Sequence, residues 1–198
     1  MVTEQILNKL IASLSSLPGV GKKSALRIGF YLLRLEKKSF DDFISNLLLV
    51  RDSITFCESC GSITDKKICD ICSSPDRLTN MICVVEKPED VIFIERTGEI
   101  KGKYHVLDGV ISPLDGIGPD KIRIRELLQR LKDNPVEELL IATNPTIQGD
   151  ATASYISTIL KDTNIKITRI AHGVTVGSTL EYADQYTLSK AIKSRNTI

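Results

Sequence analysis

The chain is predicted to be a multidomain α+β protein: a small helical domain, a four-cysteine zinc finger, an α/β domain with a mostly parallel sheet, and a C-terminal tail segment. Three observations predict it. Apolar residues recur at helical spacing before residue 57. Four cysteines then fall as two pairs, Cys57-x2-Cys60 and Cys69-x2-Cys72, separated by eight residues. Beyond them, short apolar runs alternate with helical stretches, the pattern of parallel strands joined by crossover helices. The expected boundaries are 1–56, 57–72, 80–172 and 173–198.

In the first domain Ile6, Leu7, Leu10, Ile11 and Leu14 share one face of a helix over 3–14. Leu17-Pro18-Gly19-Val20-Gly21 breaks it, a second helix runs from Lys22 through Leu33, and a third is expected over Phe40 to Phe56. In the cysteine segment each CxxC turn brings two thiolates to one side. Two such turns close a tetrahedral cage around Zn2+ with no open position for water, which makes the site structural. The alternative, four unrelated buried thiols, does not explain the spacing. The loop carries Lys66 and Lys67 but also Glu58, Asp65 and Asp70, which favours a structural role over nucleic-acid binding. Cys83 lies in an apolar run and reads as a small buried hydrophobe. Strands are expected at 82–86, 104–107, 139–143 and 165–170, and helices at 89–97, 121–131 and 151–160. Ser112–Pro119 is a turn-rich loop, and Leu180–Ile192 is an amphipathic terminal segment.

Net charge is +1, so the overall balance does not by itself mark the chain as a polyanion binder, but the charge is unevenly spread. Residues 1–40 hold seven Lys or Arg against Glu4 and Glu36, a net +5 that leaves −4 for the remainder and suggests a local anionic partner. The start has no basic region followed by an apolar block, and no apolar run approaches membrane-spanning length. Cysteines used for zinc rather than disulfides fit a reducing, cytoplasmic setting.

Two constellations carry chemistry. In LPGVGKKSALRI, from Leu17 to Ile28, Gly19 and Gly21 permit a tight turn and let backbone N–H groups approach a phosphate. The second helix opens there with its positive dipole end, and Lys22, Lys23 and Arg27 add charge. This resembles the helix-hairpin-helix, which grips the DNA backbone without reading bases. The plainer reading is a glycine turn between packed helices with solvated lysines. GxxxxGK[ST] is not satisfied, so a nucleotide loop is not indicated. Further on, Val84-Val85-Glu86 and Ala142-Thr143-Asn144-Pro145-Thr146 end two strands, at the edge where sites form in such sheets. The pair resembles the Toprim domain of topoisomerases and primases, which holds Mg2+ with a Glu and a later Asp-x-Asp. Glu86 matches the Glu, but the second element reads Asn144-x-Thr146, and two neutral side chains offer a hard cation far less charge than two carboxylates.

A helix-hairpin-helix, a four-cysteine zinc loop and a Toprim domain in this order resemble the RecR family of bacterial recombination mediators over nearly the whole length. SPLDGIGP (112–119), ATNPT (142–146), RIAHG (169–173) and LEYAD (180–184) add to the likeness. The resemblance implies a non-enzymatic protein of RecFOR-type repair. It would act with RecO, and often RecF, to help load RecA onto SSB-coated single-stranded DNA at gaps. It also implies a homo-oligomer, from a dimer to a ring-like tetramer, with contacts through the hairpin domain and tail. Gly19, Gly21, Lys22, Lys23 and Arg27 would face DNA, and Glu86 and Asp150 would lie in the RecO-binding region. Where the family usually has Glu-Gly-Glu this chain has Gln148-Gly149-Asp150, which implies a differently arranged acidic edge. Tyr182 and Tyr186 are expected to pack within the terminal segment rather than serve as nucleophiles, and His172 reads as structural. Two other classes compete: a Mg2+-dependent Toprim enzyme, resting on Glu86, and a zinc scaffold that joins proteins without binding DNA.

Overall fold

A computed structural model describes residues 2–171 and 173–195, so His172 lies outside the described residues. The chain divides into two compact units, 1–54 and 55–198.

The first unit is helical: α1 (Val2–Ser15), α2 (Lys22–Arg34) and α3 (Lys37–Ser53). Leu7, Leu10, Ile11 and Leu14 are all half-buried along α1, whereas Ile6, expected on the same face, is 65% exposed. On α2 only small residues, Ala25 and Gly29, are buried; a Cβ at Gly29 would touch Leu10, Ile11 and Leu14, so small size there permits close helix packing. None of the residues of α3 is buried, although Phe40, Phe43, Ile44, Leu47, Leu48, Leu49 and Val50 are apolar. The third helix also ends earlier than expected. Ile54 turns extended, and Thr55–Phe56 form strand β1, paired antiparallel with β2 (Ile63–Thr64) at the mouth of the cysteine loop. β-branched Ile54 and Thr55 suit this better than a last helical turn.

The second unit continues with α4 (Asp70–Ser73), β3 (Met81–Val85), α5 (Pro88–Glu95), β4 (Lys103–Val106), α6 (Ile124–Asp133), β5 (Glu138–Ala142), α7 (Ile147–Ile159), β6 (Lys166–Arg169) and α8 (Gln185–Lys193). Four strands form one parallel sheet in the order β4-β3-β5-β6. Because side chains alternate, Ile82 and Val84 join Leu127, Leu139, Ile141 and Ile156 on one face, while Cys83 and Val85 join Val91, Tyr104 and Val106 on the other. Covering both faces is what a parallel sheet requires. Burial pushes the Cys83 thiol up to about 12, so it is an inert core group. α6 starts three residues later than the expected helix because Pro119–Lys121 form a separate 3-10 turn and Ile122 is extended. α7 starts four residues earlier, capped by Thr146, whose Oγ1 accepts from Gly149 N–H at 3.0 Å.

His105 is fully buried in β4. Its Nε2 lies 2.8 Å from the Arg123 carbonyl, which can only accept, so Nε2 carries the proton and buried Nδ1 has no partner. Burial pushes its pKa down to about 4, below the ordinary 6.5. The unfolded chain therefore binds a proton that the folded chain refuses, and stability present above pH 6.5 is lost as pH falls toward 4. Urea unfolding at pH 7.5 and pH 5 should show a loss of about 2 kcal/mol from this group. His105→Gln, which keeps the donor to Arg123, should flatten that dependence.

Candidate nucleic-acid interface, metal centre and sheet-edge site

In the first unit, Val20 N–H donates to Leu17 O at 3.1 Å and Gly19 has φ +77°, a left-handed turn position that favours glycine. Gly21 differs from expectation. It is the N-cap of α2 with ordinary extended backbone, and a Cβ there would meet nothing within 4 Å. Its lack of a side chain serves no internal contact and leaves the start of α2 bare. Lys22, Lys23 and Arg27 are all exposed, and no acidic residue occupies the first turn. Because Ala25 and Gly29 hold the helix against α1, Lys23 and Arg27 flank an outward groove of about 290 Å3 with Ser24, Leu26 and Phe30.

In the second unit the four cysteine Sγ atoms lie within 4.8 Å of one another, with Cys60 and Cys69 sulfurs 3.6 Å apart. A Zn–S bond of about 2.3 Å places tetrahedral sulfurs about 3.8 Å apart, so the donor set fits Zn2+. Cys57, Cys60 and Cys69 are buried and Cys72 half-buried. The crowded thiols divide their protons unequally. Donating to Cys72, and then burial, drive the Cys60 thiol far up, and burial pushes Cys69 up to about 11. Accepting from Cys60 pulls Cys72 down to about 5 against the opposing effect of burial. Four sulfur donors with no position left open for water make this a structural Zn2+ site. Lys66 pairs with Asp70 at 2.6 Å and Lys67 with Glu58 at 3.4 Å, so the loop lysines are balanced within the loop.

At the sheet edge, the register Val85↔Ala142 sets Glu86 beside Asn144. Glu86 is 6% exposed; its Oε1 accepts from Asn144 N–H at 2.7 Å and its Oε2 from Asn144 Nδ2 at 2.8 Å. Gly149 packs so tightly that a Cβ would lie 2.1 Å from Asn144 O and 3.0 Å from Glu86 Oε1. Asp150, in the first turn of α7, accepts from Arg169 at 2.5 Å, Tyr186 Oη at 3.1 Å and Lys190 Nζ at 3.1 Å. Burial would raise its pKa, but the bonds from Lys190 and Arg169 outweigh that and hold the carboxyl below its usual range. Asp150 thereby clasps α8 to the sheet domain. Both carboxylates are thus engaged by groups within the chain. Tyr186 is engaged with Asp150, and Tyr182 is 82% exposed. A cavity of about 460 Å3 opens here, lined by Phe93, Asn144, Pro145, Ile170, Tyr186 and Lys190 among others. Sequence reading missed Arg169 and Lys190 as the clasp; a lone Asp followed by distant cations carries no spacing signal. Among the described residues, the cysteines are the sole group of three or more Cys, His, Asp or Glu placed to hold a metal, and no helix is long and apolar enough to cross a membrane.

Family models match the chain in four consecutive blocks. The RecR helix-hairpin-helix matches residues 7–48, the RecR four-cysteine zinc finger domain 54–74, the Toprim domain 80–171 and the RecR C-terminal segment 173–196. Together they span nearly the whole chain in the order described above.

The Asp150 clasp makes α8 sensitive to one charge. Asp150→Asn keeps the size but weakens three bonds, so amide exchange across 185–193 should quicken about 10-fold, for a loss of about 1.4 kcal/mol. Exchange in β3 and β5 should stay unchanged.

Proposed function

Because the chain belongs to the RecR family of recombination-repair proteins, we propose that it is a non-enzymatic DNA-binding mediator that works with RecO, and with RecF where present, to help load RecA on SSB-coated single strands at gaps. The observation that carries the DNA-binding part is the bare, acid-free start of α2 with Lys22, Lys23 and Arg27 around it. Backbone N–H groups, the helix dipole and three cations converge there on one kind of ligand, a phosphate. Such a grip holds backbone without selecting sequence. One protomer offers few phosphate contacts, so useful affinity comes from several hairpins presented together. The apolar, wholly unburied α3 supports a homo-oligomer in which a second copy covers it.

The RecO contact is proposed at the Toprim edge, where Glu86 acts through Asn144 and Asp150 through the tail, each shaping a surface rather than offering a charge. A Toprim enzyme is the weaker reading. Both Glu86 oxygens already accept from Asn144, and the Asp-x-Asp positions are Asn144 and Thr146, so the donor set does not fit Mg2+.

Anisotropy of labelled gapped and single-stranded DNA over a salt series should show sequence-tolerant binding that falls steeply with salt. Lys23→Glu with Arg27→Glu should abolish it at moderate salt with unchanged far-ultraviolet circular dichroism; removing one lysine–phosphate pairing lowers the salt slope by about 1. Unaltered affinity in the double variant would sink the DNA assignment and leave the zinc scaffold.

In a nicking and relaxation assay, wild type and Glu86→Gln should be equally inactive with Mg2+. A Mg2+-dependent product that disappears in the variant would restore the enzyme reading.

A further inference from the structure

Three of the four cage sulfurs accept a backbone N–H: Cys57 from Cys69 at 3.3 Å, Cys60 from Ser62 at 3.4 Å, and Cys69 from Cys72 at 3.4 Å. Among the described residues, Cys72 has no backbone donor. A side chain from another part of the fold is there instead: Arg130 of α6 places Nη2 3.7 Å from the Cys72 sulfur while its Nη1 donates to the Tyr104 carbonyl on β4. Lys103 of β4 donates to the Cys72 carbonyl at 3.0 Å, and Val106 N–H to the Cys60 carbonyl at 2.7 Å.

The chemistry of the cage explains why a cation belongs here. Four thiolates around one Zn2+ leave a net charge of about −2, and sulfurs in this state are held by N–H donors around them. A guanidinium can meet two acceptors in one plane, which an ammonium cannot. From these contacts we infer that Arg130 is an outer-sphere residue of the zinc cage: it takes the place of the missing backbone donor at Cys72 and fastens the zinc loop to α6 and β4. Arg130 is a positioning residue that acts on the metal through Cys72. The zinc loop is then held by the α/β domain as much as by its own turns, and part of the metal's hold depends on a residue 58 positions along the chain from its ligand.

The test compares Arg130→Met, which keeps the volume without the charge, with Arg130→Lys, which keeps the charge without the fork; Lys132→Met, exposed on the same helix, is the control. Zinc transfer to a chromogenic chelator should be about 10-fold faster in Arg130→Met, intermediate in Arg130→Lys and unchanged in Lys132→Met. In Co2+-substituted protein the thiolate-to-metal charge-transfer band should move to lower energy in Arg130→Met and partly return in Arg130→Lys, because an uncompensated thiolate gives up an electron more readily. A merely structural tie between α6 and β4 would lower thermal stability while leaving release rate and band unchanged, and that result overturns the inference. If Arg130→Met does not fold, Arg130→Lys decides, and wild-type release from it is likewise fatal. A wild type that holds no zinc overturns the cage itself and this inference with it.

Discussion

A carboxylate removed from water at the end of a strand must be fully bonded, and much of the second unit follows from how Glu86 meets that requirement. Its two oxygens take both N–H groups that Asn144 presents, joining the carboxyl ends of β3 and β5. This fixes the loop that leads to Thr146, whose hydroxyl caps α7. The cap brings Gly149 so close that only glycine fits, and it aims Asp150 at Arg169, Tyr186 and Lys190. The tail is thus held by a series of contacts that begins at Glu86.

The two proposed binding regions are built on opposite physical principles. At α2, among the described residues, the chain leaves polar groups unmatched: an N-terminus without a side-chain cap, a first turn without an acid, and a glycine without an internal reason to be one. At the Toprim edge Glu86 and Asp150 both find partners inside the chain. Unmatched polarity suits a ligand that changes with each encounter, as a sequence-blind DNA contact requires. Matched polarity suits a shaped surface with an apolar cavity such as the one beside Phe93, Pro145 and Ile170.

Much of this was legible in the amino-acid sequence. Two CxxC pairs specify a cage because spacing and chemistry are local, and the alternation of apolar runs with helical stretches specified the parallel sheet. The hairpin cations were legible for the same reason: turn and charge sit within one short stretch, Leu17 to Ile28. What escaped was nonlocal. Nothing near Cys72 announces Arg130, and nothing near Asp150 announces Lys190. Glu86 and Asp150 were found as positions, but their burial and bonding were not, because a side chain's partners across a sheet edge depend on register. Helix ends slipped where a cap or a 3-10 turn, at Thr146 and Pro119, outweighed apolar periodicity.

The bare face of α3 has a consequence for how the hairpin unit is held together. A helix of 17 residues that buries none of its side chains lacks the tertiary packing from which helices in proteins draw most of their stability. In the homo-oligomer proposed above its order would depend on mass action: covered by a second copy it would persist, and on dilution it would fray. Protein concentration would then be an effector of the hairpin unit, tuning its grip on a polyanion that α3 need never touch.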